Sequence, residues 1–476
     1  MYKLRYVILG ILLMCVYTSI YLQHSTAPTD EDCRYLGLFV IIQFAYSLYS
    51  WWKVEGYMFS AYIVFLIAFY AFNTGQVILE YLGLSQDAHL LLNGYLDSKG
   101  FYDGAFFSMS SLLFFHFGAL MVTNKRSKEK TRLRQEELHA SYHAIRKIAI
   151  SIAFMSAPFY IYNLIINLAT VAVYGYSGLY DNNASSRFVA IIGDFYVPAL
   201  IALYFASEYS GKGKKLCLLI LLFTVFLPPF ILGGRSSIAI ISAVLLIVYT
   251  LFHEIKKRHI IVMSIGVITL LFSFFVISLI RHSATKDINL IRMVLQDNDE
   301  NPIAGILQEM GFSMFPVSWT IENVPRFKDY EYGTTYLWEL FSIVPNIGFG
   351  EIHPAKVHES SQWMQKQSGY SFGLGYSLIA EAYNNFGWYG ILFMFFNGYI
   401  YCRMFKSVNR RNMKVNPILV LAAVIFLWFS IKGVRNSFLG TVRGVFYYTL
   451  PLYWLMTYFK NKYVNNKISK HLNWGS

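Results

Sequence analysis

Charged residues are scarce in this chain of 476 residues: 14% of its residues are charged and 56% are hydrophobic. Soluble domains typically contain about 25% charged residues, so the composition excludes a soluble globular protein. The apolar residues occur in repeated runs near the length of roughly 20 residues that crosses a bilayer. The chain is therefore predicted to be a multi-pass membrane protein.

Cysteine is also rare, because the chain contains only four. Their positions show no spacing typical of a disulfide framework or a metal site. No phosphate-binding loop of the nucleotide-hydrolysing type is present. The absence of an internal repeat argues against a transporter built from inverted repeats. The first apolar run has no small-residue cleavage site, so we predict a retained span instead of a signal peptide.

Twelve apolar runs are predicted to cross the membrane. They are, approximately, 5–22, 35–52, 57–80, 104–123, 148–173, 189–208, 216–232, 236–252, 260–280, 387–404, 416–433 and 439–458.

The net charge of +13 is concentrated between alternate runs, above all in the basic segment 124–147. Such segments stay on the cytoplasmic side of a membrane, which places both termini in the cytoplasm. The basic residues then indicate contact with anionic membrane lipid, and no nucleic-acid partner is expected.

One predicted external segment is long. Residues 1–280 hold nine spans with short loops, residues 281–386 form a large external, periplasmic loop, and residues 387–476 hold three spans and a cytoplasmic tail. The large loop contains apolar, aromatic stretches of helical period. We expect short amphipathic helices on or in the outer membrane face, interrupted at the prolines, which are Pro316, Pro325, Pro345 and Pro354.

The stretch LGGRSSIA places Arg235 inside an otherwise almost uncharged region. An arginine at the centre of a spanning helix costs roughly 2.5–3.5 kcal/mol on insertion scales. The glycine pair allows a turn at the outer surface, and Ser236 or Ser237 is expected to cap the following helix. Arg235 is therefore predicted at the N-terminus of the eighth span.

Other arginines occupy similar places. DNNASSRF puts Arg187 at the start of the sixth span, and GVRNSFLGTVRG puts Arg435 before the twelfth, with Arg443 about two turns further along. Arg281 follows the ninth span. A cation at a helix N-terminus is unfavourable by roughly 0.3–1 kcal/mol. Arginines at these positions therefore indicate a site that binds an anionic ligand. Guanidinium groups beside helix N-termini suit a phosphate or pyrophosphate, although each arginine alone could instead contact lipid headgroups.

Glu381 is the unusual acid of the chain, in the stretch GYSLIAEAYNNFGWYG before the tenth span. A carboxylate at this depth needs a partner or a raised pKa. Two roles stay open: structural pairing with one of the arginines, or removal of a proton from a sugar hydroxyl. His353 in the external loop is the second candidate base.

LGGRSSIA, followed after the long loop by GYSLIAEAYNNFGWYG, resembles the Wzy O-antigen polymerases of bacteria. The twelve spans with one large external loop before the last three are similar as well, so the resemblance covers most of the chain. The Arg-x10-Gly loop pattern of some members is absent, so loop roles from that branch do not carry over.

The resemblance implies an all-α polytopic glycosyltransferase of the GT-C type in the bacterial inner membrane, with its active site facing the periplasm. Donor and acceptor would both be oligosaccharides on undecaprenyl pyrophosphate, in contact with membrane lipid. Neither a metal nor another cofactor is expected, and a separate chain-length regulator is a possible partner. The pyrophosphate would be held by arginines, for which the candidates are Arg187, Arg235, Arg281, Arg435 and Arg443.

Two other activities fit similar chemistry. An O-antigen ligase would use the same donor and transfer the finished glycan to another lipid. A flippase for the lipid-linked oligosaccharide would favour charges along several helices and duplicated halves, whereas these arginines are predicted at one face. The sequence favours the polymerase, and it leaves the sugars and the linkage open.

Overall fold

The computed structural model is helical, with no strand among the residues that it describes. Those residues are 2–84, 98–122, 133, 135–175, 178, 187–232, 235–259, 261, 266, 269, 302–346, 352–357, 359–369 and 375–473.

The chain forms two compact units that are each assembled from separate stretches. The first contains residues 1–124, 297–405 and 430–442, and the second contains residues 125–296, 406–429 and 443–476.

The first unit contains the first four helices and most of the segment predicted as the external loop. Its helices are α1 (Tyr2–His24), α2 (Asp30–Glu55), α3 (Ala61–Leu82), α4 (Ser98–Met121), α11 (Pro302–Gly311), α12 (Phe315–Asn323), α13 (Thr334–Phe341), α14 (Pro354–Val357), α15 (Ser360–Ser368), α16 (Leu378–Phe386), α17 (Gly390–Phe405) and most of α20 (Phe438–Arg443).

The central contact of the first unit joins α4 to α17. A Cβ atom on Gly118 would lie 1.9 Å from the carbonyl oxygen of Phe395, and one on Gly398 would lie 1.9 Å from that of Phe115. The two helices therefore cross with their backbones in contact, an arrangement that small residues allow between membrane helices. Around this pair, α12 packs on α4, and α16 packs on both α12 and α17.

The second unit holds the middle of the chain and its C-terminal helix. Its helices are α5 (Gln135–Tyr174), α6 (Arg187–Gly193), α7 (Tyr196–Ser210), α8 (Lys214–Leu221), α9 (Leu227–Leu232), α10 (Arg235–Phe252), α18 (Arg410–Met413), most of α19 (Pro417–Gly433) and α21 (Leu450–Asn473).

The long helix α5 organises the second unit, because α6, α7 and α21 all pack against it. Two short π-helical segments, Leu222–Phe226 and Gly444–Thr449, interrupt the α-helical pattern. Each lies just before a proline, Pro228 or Pro451. Proline removes one backbone donor from a helix, and such local changes of hydrogen-bond pattern are known causes of helix bending.

Within the residues that the structure describes, six helical stretches are long and apolar enough to span a membrane, and α19 and most of α10 are shorter apolar helices. Large apolar side chains on these stretches are exposed, such as Leu12 on α1 and Phe154 on α5. This pattern fits helices that face lipid, and the chain is a multi-pass all-α protein, as predicted. The ninth predicted span lies mostly outside the described residues. The number of twelve spans and the GT-C type stay predictions.

The helices between Pro302 and Phe386 show how the predicted interruptions at proline arise. Pro316 and Pro354 lie in the first turns of α12 and α14, whereas Pro325 and Pro345 follow helix ends. The buried face of α12 packs into the first unit against α4, so this helix belongs to the core of the unit. The division of the chain at residues 280 and 386 concerns membrane topology and stays a prediction.

Candidate active site

Glu381 lies in the first turn of α16 and its side chain is 0% exposed. The helix begins after Ser377, whose hydroxyl accepts from the amide of Ile379 and donates to Asn73 on α3, at 2.7 Å. It ends at Gly387, where the backbone has φ +56° and the Tyr330 ring lies 3.0 Å from the position of a Cβ. The two ends of α16 are therefore fixed by neighbouring elements of the first unit.

Both carboxylate oxygens of Glu381 accept hydrogen bonds. Oε1 accepts from the Thr335 hydroxyl at 2.9 Å, and Oε2 accepts from the backbone amide of Phe438 at 2.7 Å. Asn385, one turn after Glu381, donates to the Thr335 hydroxyl at 2.6 Å. Glu381 thus connects three separate helices: α16, α13 and α20.

Glu339 is the second acid of this cluster, on α13 and 8% exposed. It follows Thr335 by one helical turn, so the two side chains share a face. The Glu339 carboxyl interacts with the Ser437 hydroxyl, with the amide of Leu439 and with the carboxyl of Glu381. Its buried Oε2 atom has no hydrogen-bond partner when both acids are ionised, and a proton on Glu339 gives it one. Two acids therefore meet at the beginning of α20. We call Glu339 and Glu381 the carboxyl pair.

Burial raises the pKa of both acids, which lie outside the long apolar helices. The pKa of Glu381 is raised to about 7. The pKa of Glu339 is raised well above its usual range by burial and then by the nearby charge of Glu381. Two carboxylates in contact cannot both ionise at little cost. Near neutral pH the carboxyl pair therefore holds one proton, and Glu339 is the donor in the bond to Glu381.

Arg435 lies in the segment between α19 and α20, next to the carboxyl pair. Its carbonyl oxygen accepts from the amide of Tyr376 at 3.2 Å. The same oxygen would lie 2.5 Å from a Cβ on Gly375, a residue with φ +68°. The side chain of Arg435 is half-buried. The structure brings Arg435 close to Glu381, because Phe438, whose amide binds Glu381, follows Arg435 by three residues.

The other predicted arginines lie elsewhere in the chain. Arg187 is the first residue of α6 and Arg235 the first residue of α10, which are the helix starts that the sequence predicts. Their side chains and the whole of Arg281 lie outside what the structure describes. Arg443 ends α20 and is hydrogen-bonded to the Tyr447 hydroxyl. Arg435 belongs to the first unit, and these arginines belong to the second.

The predicted capping of α10 is wrong. The helix begins at Arg235, so Ser236 and Ser237 lie in its first turn and neither is the residue that precedes the helix. A residue inside a helix contributes its own amide to the row of free donors at the N-terminus. The first turn of α10 therefore includes the arginine itself, closer to those amides than the sequence predicts.

His353 is 2% exposed and lies just before α14. Its Nε2 atom is hydrogen-bonded to the carbonyl oxygen of Val344 at 2.8 Å. Among the described residues, no group of three or more His, Cys, Asp and Glu side chains could hold a metal ion.

The sequence did not identify Glu339 or Asn385, and it left open an arginine as the partner of Glu381. In the described part of the chain the partner is another acid. One signal was available: Glu339 is the only charged residue of the apolar helix TTYLWELF. An acid in such a helix must find a buried partner or keep its proton.

The comparisons with known proteins agree with the resemblance seen in the sequence. The family model described as O-antigen polysaccharide polymerase Wzy matches residues 5–467, nearly the whole chain. No curated protein and no solved structure matches the chain. The family match and the apolar helices together indicate a membrane enzyme of the glycosyltransferase type. The chain belongs to the Wzy family of O-antigen polysaccharide polymerases.

Proposed function

We propose that this chain polymerises oligosaccharide repeat units carried on undecaprenyl pyrophosphate, at the periplasmic face of the bacterial inner membrane. The growing glycan is the donor, and a new repeat unit on the same lipid is the acceptor. The family match over residues 5–467 carries this proposal. The arginines predicted at outer helix ends and the basic segments predicted in the cytoplasm support the carrier and the orientation.

In the proposed reaction, a hydroxyl of the acceptor sugar attacks the anomeric carbon of the donor. The bond between that carbon and the pyrophosphate oxygen breaks, and its electron pair leaves with the lipid pyrophosphate. The new glycosidic bond forms as the hydroxyl loses its proton. Negative charge therefore grows on the pyrophosphate, and fixed guanidinium groups stabilise it. The residues proposed for this role are Arg187, Arg235, Arg281, Arg435 and Arg443.

The acceptor hydroxyl needs an acceptor for its proton. Glu381 and His353 are the two groups that the sequence proposes for this step. Both are buried and hydrogen-bonded to protein groups in the structure. A pyrophosphate held by several arginines needs no divalent cation for charge neutralisation. We therefore expect purified protein to keep its activity in excess chelator.

The first test is the size distribution of surface glycan from cells that lack this chain. We expect the ladder of O-antigen bands to collapse to a lipid core with one repeat unit, because transfer to the core continues without polymerisation. Complementation with the unchanged chain restores the ladder, whereas Arg235→Ala at the same membrane level does not. If no repeat unit reaches the core, the chain is a ligase or a flippase and the proposal is wrong.

A matched control separates a lost binding site from a lost fold. Arg326 is an external arginine in the described part of the chain, with its guanidinium over the ring of Phe327 at 4.9 Å. It is not among the proposed pyrophosphate ligands. Arg326→Ala is expected to leave the ladder intact. If the ladder collapses in this variant as well, the loss in Arg235→Ala is not specific to a pyrophosphate ligand.

A further inference from the structure

We propose that Glu339 and Glu381 are positioning residues that together hold the Val434–Ser437 segment, so that Arg435 is presented to its ligand in a fixed place. The inference rests on the proposed function, because it takes a lipid pyrophosphate as that ligand. It assigns a role to Glu339, and it chooses between the two roles that the sequence leaves open for Glu381.

The first contact that holds the segment comes from Glu381. Its Oε2 atom accepts from the amide of Phe438 at 2.7 Å, directly after the segment. The Phe438 ring packs edge-on against Tyr336, with the ring centroids 5.7 Å apart. The residue that follows Ser437 is therefore fixed both by a charged hydrogen bond and by an aromatic contact. Hydrogen bonds with a charged acceptor are about twice as strong as neutral ones.

The second contact comes from Glu339, which binds the residues on either side of Phe438. Its carboxyl is hydrogen-bonded to the Ser437 hydroxyl and to the amide of Leu439. Three consecutive residues therefore contact one or the other acid. The free amides at the start of a helix need acceptors, and the carboxyl pair supplies them.

The third contact is made to Arg435 itself, at its carbonyl oxygen. The amide of Tyr376 donates to the Arg435 carbonyl, and Gly375 brings its backbone so close that no side chain fits there. Tyr376 is itself anchored, because its hydroxyl is hydrogen-bonded to Thr320 at 3.0 Å. The backbone is thus held at the Arg435 carbonyl oxygen and at the residues that follow it, while the Arg435 side chain stays half-buried.

The contacts of Glu381 speak against a direct role as a base. Both of its oxygens already accept from Thr335 and Phe438, the bond from Glu339 is added to these, and the side chain is 0% exposed. A general base has to reach the proton it removes, within about 3 Å or through one water. The geometry fits a group that acts through Arg435.

Activity measurements distinguish a role of the two acids in positioning the Val434–Ser437 segment from a role in base catalysis. Protein purified into lipid nanodiscs would be assayed with the lipid-linked repeat unit extracted from cells that lack the chain. Glu339→Ala and Glu381→Ala are expected to lower kcat/KM by about 50-fold or more, mainly through a higher KM, because the buried donors lose their acceptor. Glu359→Ala is the control, since the Glu359 carboxylate accepts hydrogen bonds from Ser361 and Gln362 within its own turn.

Amide variants provide the rescue. In Glu339→Gln the amide can donate to Glu381 as the protonated acid does, so we expect kcat/KM within about threefold of the unchanged chain. Glu381→Gln keeps one acceptor oxygen and is expected to lose less than about tenfold, since one of its bonds survives. If Glu381→Gln is as inactive as Glu381→Ala, Glu381 acts as a base in the reaction, and the positioning role is overturned.

A spin label at position 436 reports the segment without any substrate. Asn436 is exposed, and among the native cysteines Cys15 is the exposed one, so Asn436→Cys would be labelled in a Cys15→Ser chain. The label is expected to be immobile in this chain and in the Glu339→Gln variant, and mobile in the Glu381→Ala variant. An equally immobile label in Glu381→Ala would overturn the inference.

The two readouts distinguish the two proposals. If the label becomes mobile as expected but the unchanged chain does not extend the lipid-linked unit, the proposed function fails and the holding of the segment is supported. If the unchanged chain extends the unit and the label does not respond to loss of either acid, the proposed function stands and the positioning role is wrong.

Discussion

His116 and the carboxyl pair belong to separate buried clusters in the described part of the first unit, and these clusters are built in different ways. In one, the ring of His116 on α4 is hydrogen-bonded to the hydroxyls of Ser50 and Tyr62, at 2.7 and 2.8 Å. In the other, Glu339 and Glu381 share a proton and bind the start of α20. Both are buried, but only the second contains two acids in contact.

The difference concerns which parts of the chain each cluster joins. His116 receives neutral partners from α2 and α3, two helices that already pack together. The carboxyl pair joins α13 and α16 to a segment that carries an arginine. A neutral, fully satisfied histidine stabilises a fold, whereas a pair of acids with raised pKa is often found at a functional site. The two clusters should therefore respond differently to substitution.

The largest expected effect follows from removing the arginine beside the carboxyl pair. Arg435→Ala should lower kcat/KM for the lipid-linked unit by roughly 100- to 1,000-fold, as for the loss of one donor to a developing anion. The thermal unfolding midpoint in nanodiscs should change little, because the backbone of the segment keeps its contacts. Arg435→Lys should recover part of the activity through its charge. If Arg435→Ala kept full activity, Arg435 would have no role in catalysis, and the carboxyl pair would not lie beside a functional residue.

The second prediction concerns pH and the stability of the fold. The carboxyl of Glu381 has a pKa raised from 4.5 to about 7, so between these values the folded chain binds more protons than the unfolded chain. Stability then falls as pH rises through this window, by about 1–3 kcal/mol. It goes on falling above this window while Glu339 keeps its proton in the folded chain. The other titratable groups facing Glu381 are Glu339, Tyr336, Tyr376 and Tyr401.

The measurement is thermal unfolding in nanodiscs as a function of pH. The tyrosines do not contribute to this window, because phenols ordinarily titrate near pH 10. Glu381→Gln should reduce the slope, since its amide does not titrate. An unchanged slope in that variant would assign the pH dependence to groups other than Glu381.

The smallest effect on catalysis is expected at the histidine cluster. His116→Leu leaves the hydroxyls of Ser50 and Tyr62 without their partner, which should lower the free energy of unfolding by about 1–3 kcal/mol. The kcat/KM of the folded fraction should stay within about twofold, because His116 joins α4 to α2 and α3 and not to the segment of Arg435. A large loss of kcat/KM at normal stability would remove the distinction between the clusters.

The sequence predicted much of the architecture but only part of the site. The predicted spans 57–80 and 148–173 overlap observed helices. They could be predicted because the length and hydropathy of an apolar run are local properties of the sequence. Glu381 was identified because an acid in apolar surroundings is unusual. Its partners lie far along the chain, since Thr335 precedes it by 46 residues and Phe438 follows it by 57. No periodicity or composition encodes such pairings.

The same limit explains the position of Glu339 and the error at α10. Glu339 faces Glu381 because Asn385 docks the beginning of α13 onto the end of α16, through bonds to Gly333 and Thr335. That docking is tertiary, so an isolated helix pattern cannot predict it. At α10, the preference of serine for capping positions was outweighed, and helix starts are uncertain by a residue or two when read from sequence.

The long separation between Glu381 and Phe438 has a consequence for biosynthesis. The ribosome adds about 5–20 residues per second, so the 57 residues between them take roughly 3–11 s to emerge. During this interval Glu381 has been made but its amide donor has not. Glu339 is synthesised earlier and is present throughout this interval. If the two acids share a proton, they place one negative charge in apolar surroundings instead of two. The last hydrogen bond of this junction can therefore form only after the C-terminal part of the chain is delivered.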